Sequence, residues 1–288
     1  MSRPHLPCCG RLMGNAPPRI VTAAELPDPA RLELLARRVF GDGDRPEGWF
    51  DRKLRRECVD LRLSPVAVHA GASLADPEGW LGYVLVGTPP SRPGAARTAG
   101  TGVRPDARGQ GLGGRLLDAV AELASRAGLG RIELWSQAEV EPFYRRHRFE
   151  RVMATVTALG FGRSPRPPQL HAPLPWRALE PGEHEVIAWL PEAWAGTEPD
   201  RRHGLSWSTS GGAVTTWLSR EGLAWLAQRM VGFRAAALPE LADALLDRLP
   251  APAPVVLPQL PESAPSTRAL WASGWQPAQR AVLLERRL

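Results

Sequence analysis

Apolar residues along this chain switch between two periods, and the switches predict its elements. Arg131-Ile-Glu-Leu-Trp135 alternates with period two, which puts Ile132 and Leu134 on one face of a strand. Leu112, Leu116, Val120 and Leu123 recur at helical spacing instead, with Leu117 and Ala124 widening the stripe and Asp118, Glu122 and Arg126 opposite. Gly128 and Gly130 end that helix. By the same reading, residues 19–22, 65–69, 80–87 and a segment ending at Val103 are strands, and residues 29–40 and 49–60 are helical. A short helix follows at 139–147, and residues 149–161 supply one or two closing strands. Residues 163–175 hold five prolines in thirteen positions, the composition of a linker. Beyond them, 212–218, 223–233, 254–257 and 281–284 read as strands. Helices are expected at 239–249, with Leu241, Leu245 and Leu249 on one face, and at 266–273.

Candidate chemistry concentrates where the strand ending at Val103 runs into the 112–126 helix. Glycines at 109, 111, 113 and 114 let successive backbone N–H groups point into one concavity. The first N–H groups of the helix have no partners within it, and its dipole adds positive partial charge. Such a turn suits a phosphate or pyrophosphate, with Arg108 and Arg115 at the rim for bidentate pairing. A dinucleotide fingerprint needs G-x-G-x-x-G, whereas Gly109, Gly111 and Gly113 give G-x-G-x-G. A mononucleotide loop needs Gly-Lys-Ser/Thr, and Lys53 is the sole lysine of the chain.

Val103-x-Pro105, the R-x-x-G-x-G signature at Arg108, Gly111 and Gly113, and Phe143-Tyr144 with Tyr144 five residues before Phe149 together resemble the GNAT superfamily of acyl-CoA N-acyltransferases. The resemblance covers residues 19–162. It implies an α/β (α+β) fold in which a mixed, mostly antiparallel central sheet is flanked by helices. It also implies acetyl-CoA as cosubstrate, with no metal, and an amine-bearing acceptor. Val103, Arg108, Gly109, Gln110, Gly111, Leu112, Gly113 and Gly114 would then hold the cofactor. Gln137 takes the place where many relatives carry a cofactor-binding asparagine, and Tyr144 matches the general acid that protonates the departing thiolate. Two positions depart from the pattern. Arg148 stands where most relatives have glycine before the phenylalanine, so strain or reshaping is expected there. Residues 97–103 contain no carboxylate where many relatives place a base; Glu133, Glu139 and Glu141 are the nearest alternatives in sequence.

The later segments repeat the order of the first unit, and Leu270-Trp-Ala-Ser-Gly274-Trp275 aligns with Tyr144 to Phe149. No R-x-x-G-x-G precedes the 239–249 helix, and Leu270 stands where Tyr144 would. The expected organisation is a tail at 1–18, a catalytic GNAT unit at 19–162, the linker at 163–175 and a degenerate GNAT-like unit at 176–288. Seven of its tryptophans, at 189, 194, 207, 217, 225, 271 and 275, are expected mostly in its core.

Composition refines this only slightly. Net charge is +6 and pI about 10.1, with 23 basic and 18 acidic residues in 1–162 against 13 and 12 in 163–288. The arginines are dispersed, so nucleic acid is not the expected partner, while a basic surface would attract polyanionic coenzyme A. Cys8, Cys9 and Cys58 form neither a disulfide framework nor a zinc pattern and read as reduced thiols. No run of about 18 apolar residues and no secretory h-region is present, so a cytoplasmic protein without membrane contact is expected. Met13 is a candidate alternative start. The resulting expectation is an N-acetyltransferase acting in a ternary complex; the alternative is a non-catalytic acyl-CoA-binding or regulatory protein.

Overall fold

The computed structural model describes residues 16–288 apart from 42, 44–46, 172–174, 189–190, 210–211 and 233–237, with the backbone alone at 186–188. Most of the tail, including Cys8, Cys9 and Met13, lies outside the described residues, as do Trp189 and Phe233.

In the first unit the elements run β1 (Arg19–Thr22), α1 (Leu32–Phe40), α2 (Trp49–Arg56), β2 (Pro65–Val68), β3 (Trp80–Gly87), β4 (Ala95–Val103), α3 (Leu112–Arg126), β5 (Arg131–Ser136), α4 (Glu141–Arg146) and β6 (Glu150–Phe161). Helix α2 is shorter than its apolar pattern suggests. Cys58 turns left-handed (φ 50°), and Val59 then bridges to Gly87, which fastens the end of α2 to the end of β3. The second unit runs β7 (His184–Ala188), α5 (Pro191–Ala195), β8 (Arg202–Thr209), β9 (Gly212–Glu221), β10 (Ala224–Gly232), α6 (Leu238–Leu246), β11 (Pro254–Pro261), α7 (Pro265–Ala272) and β12 (Gln276–Arg287). Strands β7 and β8 and helix α5 have no counterpart in the periodicity reading.

One sheet carries both units, in the order β1-β2-β3-β4-β5-β12-β6-β11-β10-β9-β8, with β7 paired to β10. Neighbours are antiparallel except β4–β5 and β10–β11, which are parallel and bridged by α3 and α6 respectively. The mixed, mostly antiparallel α/β plan therefore appears twice. The correspondence reaches individual residues. The N–H of Phe149 donates to the carbonyl of Tyr144 at 3.2 Å, and that of Trp275 to Leu270, also at 3.2 Å. Arg148 (φ 65°) and Gly274 (φ 92°) occupy the same left-handed position in the two turns. The turn at Arg148 thus keeps the glycine backbone and carries the strain in an arginine.

The two copies exchange their last strands. Residues 149–161 were expected to close the first unit, yet β5 pairs with β12 (Val282 opposite Ser136, Leu284 opposite Leu134). Strand β6 lies one place further, between β12 and β11 (Val256 opposite Leu159). Side chains follow the exchange. Val282 and Leu284 are buried with Leu112, Leu116, Leu117 and Val120 of α3, whereas Val156 and Ala158 of β6 join Leu241, Leu245, Leu249 and Trp275 of the second unit. Both strands are apolar on their inner positions, so periodicity alone does not choose between the two pairings. A third cluster, with Phe50, Trp80 and Tyr83, fills the opposite face of the first unit under α1 and α2. Trp194, Trp207, Trp217, Trp225 and Trp275 are all buried.

Helix α2 is also gripped from the second unit. Arg55 pairs with Glu198 and Arg56 with Glu221, and a Cβ on Gly196 would come within 2.8 Å of the Arg56 backbone. Glu192 of α5 accepts from the Ser91 hydroxyl at 2.8 Å, clasping the β3–β4 loop.

Within the second unit, Glu183 accepts from both terminal nitrogens of Arg177 at 2.6 Å and from the Glu180 N–H at 2.7 Å. These donors, chiefly Arg177, lower its carboxyl to about 2. The stability it contributes is therefore complete above the ordinary glutamate range and is lost as pH falls through about 2. An acid titration followed by circular dichroism should show a shallower loss of structure for Glu183→Gln than for the wild type. Superimposable acid limbs would remove this carboxylate from the acid response.

Candidate functional site

The site begins where β4 and β5 part. Their parallel pairing covers Ala95–Arg131, Ala96–Ile132 and Arg97–Glu133 and stops there, so β4 from Thr98 to Val103 leaves its β5-side edge open. On its other edge β4 remains paired with β3 up to Gly82–Val103. A cavity of about 490 Å³ occupies this wedge. Its walls include Arg97 to Thr101 of β4, Trp135 to Gln137 at the end of β5, Val140 and Tyr144.

At the far end of β4 the chain enters the glycine turn. Gly109 (φ 76°) and Gly111 (φ 73°) are left-handed, with no atom within 4 Å of where a Cβ would stand. The ladder of α3 starts with the Arg115 N–H donating to the Gly111 carbonyl. The N–H groups of Leu112, Gly113 and Gly114 precede the first bond of that ladder, as at any helix start. Gly113 abuts the Phe143 ring and Gly114 the His147 imidazole, so small residues here bring α3 tightly onto α4. The turn is thus open toward solvent at Gly109 and Gly111, a shape and polarity suited to a pyrophosphate. The two rim arginines behave differently from the sequence expectation. Arg108 folds back and donates from Nε to the Val103 carbonyl (3.1 Å), while Arg115 donates to the Pro18 carbonyl (2.6 Å).

Tyr144 is 8% exposed and packs edge-on against Phe143 and Phe149. Burial raises its hydroxyl above the ordinary tyrosine range, opposed by a hydrogen bond with the Thr101 side chain across the wedge. The hydroxyl therefore stays protonated at neutral pH and sits beside the open edge of β4. Gln137 immediately precedes the short turn after β5 and lines the same cavity.

Glu133, Glu139 and Glu141 do not line the cavity. Glu133 is buried and accepts from Arg131 Nε at 2.9 Å, and Arg151 both holds Glu141 and lowers its carboxyl. Glu139 is exposed. The carboxylate on the cavity wall is Glu57, just past α2, with Lys53 one turn earlier at 3.7 Å. Arg97, 3% exposed, stacks over Trp135 at 4.0 Å on the inner wall. Gln259 reaches the cavity from β11 of the second unit, at a register shift in the β6–β11 pairing and with φ 49°. Sequence inspection missed Glu57, Lys53 and Gln259. The one signal was the helical stretch expected at 49–60, which contains Lys53 and Glu57.

Larger hollows exist beside Ala16 to Pro18 and His69 to Ala72 (about 910 Å³) and between Pro165 to Pro168 and Trp225 (about 730 Å³). Neither is lined by Tyr144 or by the open edge of β4. Among the described residues no group of three or more histidine, cysteine or acidic side chains is arranged to hold a metal, and no helix is long and apolar enough to cross a membrane.

Part of the chain resembles a known family. Residues 72–151, from before β3 into β6, match the family model described as acetyltransferase (GNAT) domain. The fold is similar to that of a GCN5-related N-acetyltransferase from Sphaerobacter thermophilus (17% identity, 93% of this chain and 95% of that one, TM-score 0.56). It is similar as well to a GCN5-related N-acetyltransferase from Anabaena variabilis (14% identity, 93% and 72%, TM-score 0.53). A tandem GNAT protein from the clavulanic acid biosynthesis pathway matches over 94% of this chain and 98% of its own (15% identity, TM-score 0.55). At these identities the likeness concerns the fold. No curated protein sequence matches the chain.

Proposed function

We propose that this chain, whose residues 72–151 match an acetyltransferase (GNAT) domain and whose fold is similar to that of a tandem GNAT protein, is an N-acetyltransferase that moves the acetyl group of acetyl-CoA to a primary amine by direct attack in a ternary complex. The observation that carries this reading is the position of Tyr144: a buried, protonated hydroxyl facing the open edge of β4 in a cavity continuous with neither larger hollow.

In this reading the N–H groups from Arg108 to Gly114 hold the pyrophosphate, and the free edge of β4 from Thr98 to Val103 pairs with the amides of the pantetheine arm as an added strand would. Gln137 contacts the same arm. A backbone N–H near Val103 polarises the thioester carbonyl. The amine gives up its proton toward Glu57, the carboxylate lining the cavity, and its lone pair forms the C–N bond. The C–S bond then breaks, and Tyr144 donates its proton to the departing thiolate. A phenol of ordinary pKa about 10 is a somewhat weaker acid than an alkyl thiol near 8.5. Both groups share the same desolvated space, which penalises thiolate and phenolate alike and keeps the transfer only modestly uphill.

Calorimetric titration with acetyl-CoA tests the cofactor part, and one site per chain is expected. Gly111→Asp should weaken that site by about 100-fold, because a carboxylate in the turn repels the pyrophosphate. Aspartate tolerates the left-handed backbone and has open space there, so the fold should persist. Equal affinity in the variant would move the pyrophosphate away from this turn. Tight binding with no transfer to any amine would favour the acyl-CoA-binding alternative.

A further inference from the structure

Among the described residues, the charged side chains lining the cavity are one carboxylate, Glu57, and two cations, Lys53 and Arg97. Lys53 and Glu57 form an i,i+4 pair with Nζ 3.7 Å from Oε1, each side chain 28% exposed. The lysine stem runs along β4, where its Cε lies 3.7 Å from a Cβ position on Gly100. Arg97 lies deeper, within the fields of both Glu57 and Glu133. Opposite them, the second unit supplies Gln259 from the β11 bulge, held in a left-handed backbone that glutamine rarely adopts. Bulges of this kind re-aim a side chain, and Gln259 is among the residues that line the cavity.

An incoming amine that engages Glu57 takes that carboxylate away from Lys53. A half-buried ammonium is then left without its counter-ion in a cavity whose other charged wall residue is the buried Arg97, which is costly in a space of reduced dielectric. A simple alkylamine leaves the imbalance standing, and a diamine adds a third cation. A carboxylate on the acceptor itself removes it: the amine goes to Glu57 and the carboxylate to Lys53, so one ion pair is exchanged for two. The spacing of the pair requires the two groups of the acceptor to be only a few bonds apart. Resting on the acetyltransferase reading above, we infer that the acceptor is an aminocarboxylate, an amino acid or a close analogue, oriented by Lys53 and Glu57 and contacted by Gln259.

The inference is tested by coenzyme A thiol release with matched acceptors, L-phenylalanine against 2-phenylethylamine and β-alanine against ethylamine, together with the twenty common amino acids. The acids should exceed their decarboxylated partners in kcat/KM by about 10- to 100-fold, the range of one charge-assisted hydrogen bond. Lys53→Met should collapse that ratio toward one, and Lys53→Arg should restore most of it. Acetyl-CoA affinity, measured in both variants, serves as the check that each is folded. Equal use of acids and amines, a preference for amines, or a ratio indifferent to Lys53→Met would each overturn the inference. So would the failure of every amino acid to react or to bind calorimetrically while coenzyme A is bound, an outcome that leaves the cofactor assignment standing. Absence of acetyl-CoA binding would bring down both readings together.

Discussion

Tyr144→Phe should lower kcat by about 10²- to 10⁴-fold, the contribution of a positioned general acid, with the acetyl-CoA dissociation constant nearly unchanged. The argument rests on how little else the substitution alters. The ring of Tyr144 packs between Phe143 and Phe149 within the core of the first unit, and phenylalanine preserves that packing. What disappears is one hydroxyl, its hydrogen bond with Thr101 and its proton. Thiol release under saturating acetyl-CoA, alongside calorimetry of both proteins, separates the two quantities. Parallel rate–pH profiles of equal height would exclude Tyr144 from proton transfer. A rise in the dissociation constant matched to the loss of rate would assign it to binding alone.

Removing β12 should unfold both units, the largest effect on stability expected anywhere in the chain. In a tandem of independent domains, truncation before Gln276 would cost the second unit one strand and leave the first intact. Here β12 lies between β5 and β6, and Val282 and Leu284 are buried among the residues of α3. Without them β5 becomes an open edge beside Trp135 and Ser136, the wall of the candidate site. Leu284→Asp is a milder form of the same test: a carboxylate at a position with no exposure, costing about 3 kcal/mol or more. The full-length protein should melt in one cooperative calorimetric transition, and residues 19–162 alone should show no such transition. Two separable transitions, or a cooperatively melting 19–162 fragment, would show that the exchanged strands are dispensable.

What the sequence made legible was whatever is local. Arg108 to Gly114 and the Tyr144–Phe149 spacing each lie within a few residues, so turn chemistry and a single helical turn set their geometry. The same locality exposed the Leu270–Trp275 copy and the strain expected at Arg148, which is left-handed at φ 65°. Pairings between distant segments were hidden, because an alternating strand such as 150–161 satisfies its pattern equally well beside β5 or beside β11. Glu57 went unseen for a related reason. It precedes β4 in sequence by some forty positions and reaches the cavity only because Val59 bridges to Gly87. Arg115 was legible as a cation near the turn, but its use by the Pro18 carbonyl depends on a segment 97 residues away.

The clasp on α2 lets the second unit act on the cavity from a distance. The helix leading into Glu57 is held from the second unit through Glu198, Glu221 and the bare backbone face of Gly196, none of which lines the cavity. A copy without a glycine turn or a tyrosine of its own thereby still sets the posture of its neighbour's helix. Substitutions at Glu198, Glu221 or Gly196 should therefore move Lys53 and Glu57 while leaving the glycine turn and Tyr144 in place. In the proposed reading, acceptor preference would then be adjustable from one unit without touching the groups that carry the transfer in the other.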